Sequence, residues 1–418
     1  MLLNSGRTDE GETPDISFVT ANLNGRDYLD VFLQSVKLQD FPGSLEVIVV
    51  DNGSTDESVA FLGRHHPYVH VIANDRNVGF AGAINQGARR ARGRRVAFVN
   101  NDMRLAPDWV SSVTACLDEA GPDVVCAGSR ILNWDGSLAD FVAAELDFTG
   151  MGRQPGFHEP VPPSPAEPEQ ILFACGGALL IDREVFLDAG GFDEDYFAFF
   201  EDVDLGWRLW LLGHRVVLCS RAVAYHRHHA TAGRLPMHEQ RVLYERNAVY
   251  SLIKNYDDDS LARLLPGALL LVFKRLAFSS GIPREDLSLA PSPARPAPPA
   301  SRPRYTLRGR AVRRANRLVR KLGALAPESW GLGSFRLIST DAYARAVAMD
   351  DVIAHLPQLM GKRQEIQGRR VRSDAEIFPL FGNALRPFDP TPEYAAAHRA
   401  VLESFGIDDY LRRLGAGG

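Results

Sequence analysis

Two short acidic motifs, Asn100-Asn101-Asp102 and Phe199-Phe200-Glu201-Asp202-Val203-Asp204, hold the residues of this chain best suited to chemistry. The first follows Arg95-Val96-Ala97-Phe98-Val99, an apolar run that reads as a buried strand. An ionised carboxylate beside an apolar sheet is costly unless it meets a cation or gains a proton, so carboxylates at strand ends mark candidate sites. Asp102 together with amide oxygens is hard-ligand chemistry, suited to Mg2+ or Mn2+ shared with a diphosphate. The competing reading is a cap for a helix from Ala106 to Leu117, which Pro107 favours. His226, closing the run Ala222-Val223-Ala224-Tyr225-His226, offers a further ligand, with His228 and His229 near it; a lone histidine at a strand end is more often structural.

Such residues need elements to position them. Ile16–Thr20 and Leu45–Val50 are β-rich apolar runs separated by an amphipathic stretch from Tyr28 to Leu38, which is a βαβ pattern. A strand over Val69–Ala73, a helix opening near Gly82 and running to Ala91, and the strand Val96–Val99 continue the alternation. A mainly parallel sheet covered by helices satisfies this pattern, and ligands of such sheets sit outside the carboxyl ends of the strands. Asn22-Leu23-Asn24-Gly25, Asp51-Asn52-Gly53-Ser54-Thr55-Asp56 and Asn100-Asn101-Asp102 all fall there. Asp51 can accept a hydrogen bond from a flat heterocycle lying across those ends, or form an Asx turn before a helix near Glu57. Between a strand and a helix, Arg76-Asn77-Val78-Gly79-Phe80-Ala81-Gly82-Ala83-Ile84-Asn85-Gln86-Gly87 lets a backbone approach a ligand, and the helix N-terminus favours phosphate. Its glycines do not follow the dinucleotide spacing.

The 418 residues exceed one ordinary core, and 47 Lys plus Arg against 52 Asp plus Glu give no global reason to expect nucleic acid as a partner. Cys116, Cys126, Cys175 and Cys219 lack CxxC spacing and are expected as buried free thiols, which with an N-terminus unlike a signal peptide implies a reducing cytoplasm. An irregular loop is expected from Gly150 to Pro168, order resuming over Ile171–Ile181, and helices over Arg183–Ala189 and Asp202–Leu212, closed by Gly190-Gly191 and Gly213. Helical patterns follow over Met237–Tyr256 and Ser260–Ser279. The apolar run Leu264–Phe273, ending at Lys274-Arg275, is well short of the ~20 residues of a spanning helix. It reads either as a helix packed on the main domain or as a membrane-interfacial segment. Pro, Ala and Ser dominate Pro283–Pro303, a linker composition.

Taken in order, Val19-Thr20-Ala21-Asn22, the Asp51–Asp56 and Asn77–Gly87 segments, Asn100-Asn101-Asp102, Gly176-Gly177-Ala178, Gly190-Gly191-Phe192-Asp193-Glu194 and Glu201-Asp202-Val203-Asp204-Leu205-Gly206-Trp207-Arg208 resemble the family 2 glycosyltransferases of GT-A fold. The likeness is greatest to their bacterial rhamnosyltransferase and galactofuranosyltransferase branch. It implies an α/β fold, a Rossmann-like, nucleotide-sugar-binding, mixed and mainly parallel sheet flanked by helices, with a helical C-terminal extension. The divisions expected are a flexible N-terminus (1–14), the transferase domain (15–256), a helical segment (257–282), the linker (283–304) and a helical C-terminal region (305–418). One departure is that the DxD metal motif is reduced to Asn100-Asn101-Asp102.

The resemblance also implies roles. Thr20, Asn22, Asp51, Arg76, Asn77, Gly79, Asn85, Asn100 and Asn101 bind the donor, with Asp51 on its pyrimidine. Asp102 holds Mg2+ or Mn2+ on the diphosphate, and His226, 24 residues after the expected base, matches a metal ligand of the galactofuranosyl relatives. Asp202 is the base on the acceptor hydroxyl, with Glu201 beside it as a second catalytic carboxyl that raises its pKa or binds acceptor hydroxyls. Asp204 caps the helix or pairs with Arg208. Gly176, Gly177 and Trp207 face the acceptor, and Trp134, Phe197, Phe199 and Phe200 are further aromatics that either stack on sugars or fill the core. The implied activity is inverting, metal-dependent transfer of rhamnose or a hexose from a nucleotide-diphosphate donor (dTDP-rhamnose or a UDP-sugar) to a cell-envelope glycan or lipid-linked acceptor. The implied place is the cytoplasm, with peripheral contact at the inner face of the cell membrane. The alternatives are a sugar nucleotidyltransferase, which would want a basic Gly-rich loop after the first strand, and a catalytically idle binding or scaffold protein.

Overall fold

A computed structural model describes residues 13–164, 168–227, 235–282 and 337–416, with isolated positions between 311 and 318. His228, His229 and the linker over 283–304 lie outside the described residues. Strands β1 (Ile16–Asn22), β2 (Leu45–Asp51), β3 (His70–Ala73) and β4 (Arg95–Val99) alternate with helices α1 (Arg26–Lys37), α2 (Ser58–His65) and α3 (Gly79–Arg90). β1 pairs in parallel with β2 and β4, and β2 with β3. Every residue of β2 and β4 is buried, because helices cover both faces; that is why these strands read as continuous apolar runs. α1 shows the complementary pattern, burying Leu29, Phe32, Leu33 and Val36 as one stripe.

The sheet then changes direction. β5 (Met103–Leu105), α4 (Trp109–Glu119), β6 (Val124–Asn133), β7 (Ala139–Phe141), the ribbon of β8 (Glu145–Leu146) and β9 (Gly152–Arg153), β10 (Glu169–Gln170), β11 (Ala178–Asp182), α5 (Arg183–Asp188), α6 (Glu201–Leu211) and β12 (Arg215–His226) follow. The order across the sheet is β10-β12-β6-β11-β4-β1-β2-β3. β11 lies antiparallel between β4 and β6, so the sheet is mixed and mainly parallel as expected. β5 pairs with the end of β12, His226 opposite Met103, which brings His226 beside Asp102.

Within the ordered stretch Ile171–Ile181 the strand begins at Ala178, because Gly177 turns its carbonyl to the N–H of Asn100 (2.9 Å). One expectation needs correction: the four cysteines are not all free. Packing of α4 on β12 brings Cys116 and Cys219 together, Cα atoms 6.0 Å apart, and they form a disulfide; Cys126 and Cys175 are the free thiols. A sequence separation of 103 residues hides that pairing from any spacing argument.

The C-terminal helices pack on the sheet domain around one deeply buried helix and also touch it directly, as Lys362 does at Asp195 (2.6 Å). α7 (Met237–Asn255) is buried at every position from Asn247 to Asn255, and α8 (Asp258–Ser279), α9 (Thr340–Ala354), α10 (Leu356–Arg369), α11 (Asp374–Ile377), α12 (Pro392–Ser404) and α13 (Ile407–Arg413) gather around it. Arg363 of α10 donates to the carbonyls of Ile253 (2.8 Å) and Tyr256 (2.5 Å). Glu245, fully buried, accepts from Arg275 of α8 (2.6 Å) and Arg345 of α9 (2.9 Å). α8 buries Leu264, Ala268, Leu271 and Val272 against this assembly and leaves Leu270 and Phe273 exposed. Among the described residues no helix is long and apolar enough to cross a membrane.

Burial alone would raise the Glu245 pKa, but the two guanidiniums hold it below the ordinary carboxylate range. Its contribution to stability is therefore present above the unfolded-state pKa and lost as pH falls through the folded value. Glu245→Ala strands two buried cations and is expected to cost about 3–5 kcal/mol in urea unfolding at neutral pH. A cost below about 1 kcal/mol, the range of exposed pairs, would contradict this packing role.

Candidate active site

At the carboxyl ends of β1, β2 and β4 a chain of buried polar groups runs across the sheet. Asn22 Nδ2 donates to Asp51 Oδ2 (2.9 Å) and Ser54 Oγ (3.2 Å), and Asn22 Oδ1 accepts from Asn101 Nδ2 (2.7 Å). Asp51 Oδ1 also accepts the N–H of Ser54 (2.9 Å), so the Asx turn is present in addition to the strand-end position. Thr20 is buried beneath this chain, its hydroxyl without a hydrogen-bond partner. Asn52 Nδ2 bonds Asn77 Oδ1 (3.2 Å) and the carbonyl of Gly79 (3.0 Å). Gly79 has φ +85°, and a Cβ there would lie 2.6 Å from the carbonyl oxygen of Phe197, so only glycine fits. The Arg76 side chain is exposed at this rim.

Two expected site residues do other work. Asn85 uses both ends of its amide on Phe192, donating to its carbonyl (2.7 Å) and accepting its N–H (2.9 Å), so it ties α3 to the 191–194 turn and has little left for a donor. Trp207 is fully buried, edge-on to Tyr256 and Phe381, which removes its ring from any acceptor. The periodic pattern of α6 placed it inward, and the family motif does not distinguish a core residue from a ligand-facing one.

Asp102 and His226 form one pole of the site. His226 Nε2 lies 3.5 Å from Asp102 Oδ1, and Nδ1 is 2.6 Å from Asp140 Oδ2 on β7. Burial works against charge on the ring, but hydrogen bonds to Asp102 and Asp140 and their charges outweigh it, lifting His226 to about 9. A carboxylate on Nδ1 fixes the ring so that Nε2 faces Asp102, the arrangement typical of metal-binding histidine, and an ion bound there would take the place of the Nε2 proton. Asp102 and His226 thus fit a divalent ion as an incomplete set, and diphosphate oxygens and water would supply the remaining positions. Among the described residues no three or more His, Cys, Asp or Glu side chains are grouped so as to hold a metal ion by themselves. Sequence reasoning missed Asp140, since nothing in Leu138-Ala139-Asp140-Phe141 marks it.

Glu201 and Asp202 form the other pole, at the first turn of α6. Asp202 Oδ2 accepts the N–H of Gly176 (3.0 Å), and Oδ1 that of Val203 (2.8 Å). Burial raises the pKa of both carboxyls; the charge of Asp202 raises Glu201 further, whereas backbone N–H groups favour the ionised form of Asp202. The proton of the pair therefore belongs on Glu201, leaving Asp202 as the anion. Asp204, by contrast, is consumed by Arg208 (2.8 Å) and Lys254 (2.8 Å). In front of α6, Phe197, Phe199 and Phe200 all have positive φ, 63°, 67° and 67°. Tyr244 stacks on Phe199 at 4.7 Å, and its phenol is pushed up, chiefly by burial and then by the negative charge of the carboxyl pair. The segment Gly176-Gly177 joins the two poles: Gly176 N–H binds Asp202, while the Gly177 carbonyl binds the Asn100 N–H.

Residues 17–188 match the family model described as Glycosyl transferase family 2. The succinoglycan biosynthesis protein ExoO of Rhizobium meliloti is 35% identical over 137 residues, 32% of this chain and 39% of that protein. The N-acetylglucosaminyl-diphospho-decaprenol L-rhamnosyltransferase of Mycobacterium tuberculosis is 29% identical over 234 residues, 50% of this chain and 75% of that protein. The chain spans only 27%, 39% and 18% of the length of three other curated relatives it matches, y4gI of Sinorhizobium fredii, ExoO and RfbC of Myxococcus xanthus. Among solved structures, GalNAc-T7 with UDP, GalNAc and Mn2+ aligns at TM-score 0.47 and 17% identity, over 62% of this chain and 52% of that one.

Asp140→Asn keeps the shape of the His226 partner but removes its charge. It is expected to weaken Mn2+ affinity, measured by calorimetry in the presence of UDP, about 10- to 100-fold. Unchanged affinity would show that the Asp140 bond does not orient a metal ligand.

Proposed function

Because residues 17–188 match the model of glycosyl transferase family 2, we propose that this chain transfers a sugar, with inversion, from a nucleotide-diphosphate donor to an acceptor hydroxyl. The observation that carries the reading is the Gly176-Gly177 bridge, which sets the half-buried carboxylate of Asp202 and the Asn100-Asn101-Asp102 turn on either side of one short segment. A base and a diphosphate-binding turn facing a common space are what a single displacement at an anomeric carbon requires.

In this proposal the nucleobase lies across β1 and β2 by Asp51, and the diphosphate reaches Asn100, Asn101 and Asp102 with the N-terminus of α3 near it. Asp102 and His226 would hold Mg2+ or Mn2+, which when bound offsets the charge of the leaving diphosphate. Asp202 takes the proton of the attacking hydroxyl as the new glycosidic bond forms. Glu201, kept neutral, raises no second charge beside that base and can donate a hydrogen bond to the acceptor. Gly176, with no side chain, leaves room for the acceptor above Asp202. The name of the mycobacterial relative supports rhamnose as the sugar, hence dTDP-rhamnose or else a UDP-sugar as donor, and a lipid-linked or cell-envelope glycan as acceptor.

Asp202→Asn removes the base and keeps its shape. Transfer is expected to fall about 10²- to 10⁴-fold with nucleotide-sugar affinity within a factor of two of the parent, read by rate assay and calorimetry. Full activity in this variant would remove Asp202 from the chemistry.

A further inference from the structure

α7 lies beyond the residues matched by the family model, yet its middle turn reaches the loop in front of the catalytic carboxyls. Asn247, fully buried, gathers three carbonyls on its Nδ2: Tyr196 (3.1 Å), Ala198 (3.0 Å) and Phe199 (2.7 Å). Its neighbour Arg246 donates to the carbonyls of Asp195 (2.8 Å) and Tyr196 (3.2 Å). From the opposite side, the carbonyl of Phe197 accepts the N–H groups of Phe80 (2.7 Å) and Ala81 (3.3 Å) at the start of α3.

The residues so gripped are the ones least able to hold their own conformation. A bulky side chain disfavours positive φ, and Phe197, Phe199 and Phe200 all adopt it within four positions. Such a run persists only where its surroundings over-determine it. Asn247 supplies the donors at its centre, and without them buried carbonyls would lose their partners and the run would relax toward ordinary dihedrals. Phe200 is the residue immediately before Glu201, so relaxation would swing the first turn of α6 and draw Asp202 away from Gly176.

We infer that Asn247 is a positioning residue for sugar transfer: its amide locks the 196–200 loop and thereby fixes Asp202 against the acceptor position. This rests on the reading of Asp202 as base, and the two can fail separately. A purely structural asparagine would alter stability everywhere; a positioning one alters the loop and the rate.

The test uses the full chain and its Asn247→Ala, Asn247→Asp and Asp202→Asn variants. Two readouts are taken: UDP or dTDP release from UDP-glucose and dTDP-rhamnose with Mn2+ and an alkyl rhamnoside or alkyl N-acetylglucosaminide acceptor, and amide hydrogen exchange. For Asn247→Ala, kcat is expected to fall about 100-fold with donor KM unchanged, the scale of a roughly 1 Å misplacement of a reacting group. Exchange over residues 197–203 should rise about tenfold or more while β1 and β4 keep their protection. Asn247→Asp keeps the shape but donates only when its carboxyl is protonated, so its activity should climb as pH is lowered, a rise the parent lacks. Parent-like kcat with parent-like exchange in the loop overturns the inference, as does faster exchange spread through the sheet. An inactive Asp202→Asn beside a fully active Asn247→Ala refutes only the positioning role. A fully active Asp202→Asn refutes the base, and the exchange pattern then decides whether Asn247 holds the loop.

Discussion

Two carboxyl groups on successive residues at the start of one helix, Glu201 buried and Asp202 half-buried, do not both ionise readily, and the rest of the site follows from how that conflict is resolved. The backbone N–H groups of Gly176 and Val203 favour the anion on Asp202, while Glu201, with a buried Oε2 lacking a partner, carries the proton. An anion kept in so apolar a place is a stronger base than one in water, because burial has raised its pKa. The cost of holding it there is met outside the pair, by glycines that let backbone approach and by a loop that other elements keep in an unfavourable conformation.

Those other elements give the C-terminal helices their place in the molecule. Lys362 of α10 binds Asp193 (2.5 Å) and Asp195 (2.6 Å), Lys254 of α7 binds Asp193 (2.6 Å) and Asp204 (2.8 Å), and Asn247 holds the carbonyls that follow. The segment from Asp193 to Asp204 is thus fastened from behind by residues late in the chain. At the same time Glu245, two positions before Asn247, is clasped by Arg275 and Arg345, so one helix couples the outer helices to the turn that carries Glu201 and Asp202. Removing the region after α8 would strip charges from the back of the Asp193–Asp204 segment as well as expose apolar surface.

Much of the sheet domain was legible in the sequence because its physics is local. The runs Leu45–Val50 and Arg95–Val99 had to be strands buried on both faces, and the stripe Leu29, Phe32, Leu33, Val36 had to be one helix side. The polar strand ends at Asn22, Asp51 and Asn101 could be placed together since parallel strands share a carboxyl edge, and their side chains do form one chain of hydrogen bonds. What stayed hidden depends on contacts between distant segments. Asp140 meets His226 only because β7 and β12 both pair with β6, and the Cys116–Cys219 bond exists only because α4 covers β12. Asn85 and Trp207 carry the family pattern but spend their side chains on packing and backbone ties. The positive φ of Phe197, Phe199 and Phe200 runs against residue preference, which is why no sequence signal announced it.

The central claim is a single displacement in which Asp202 activates the acceptor on the side of the sugar opposite the departing diphosphate. Proton NMR of the first product formed, following the anomeric signal from donor to glycoside before any later equilibration, tests it most directly. One displacement predicts a product whose anomeric configuration is inverted relative to the donor; a retained configuration would require a second step that this site, as described, does not provide, and would contradict the account.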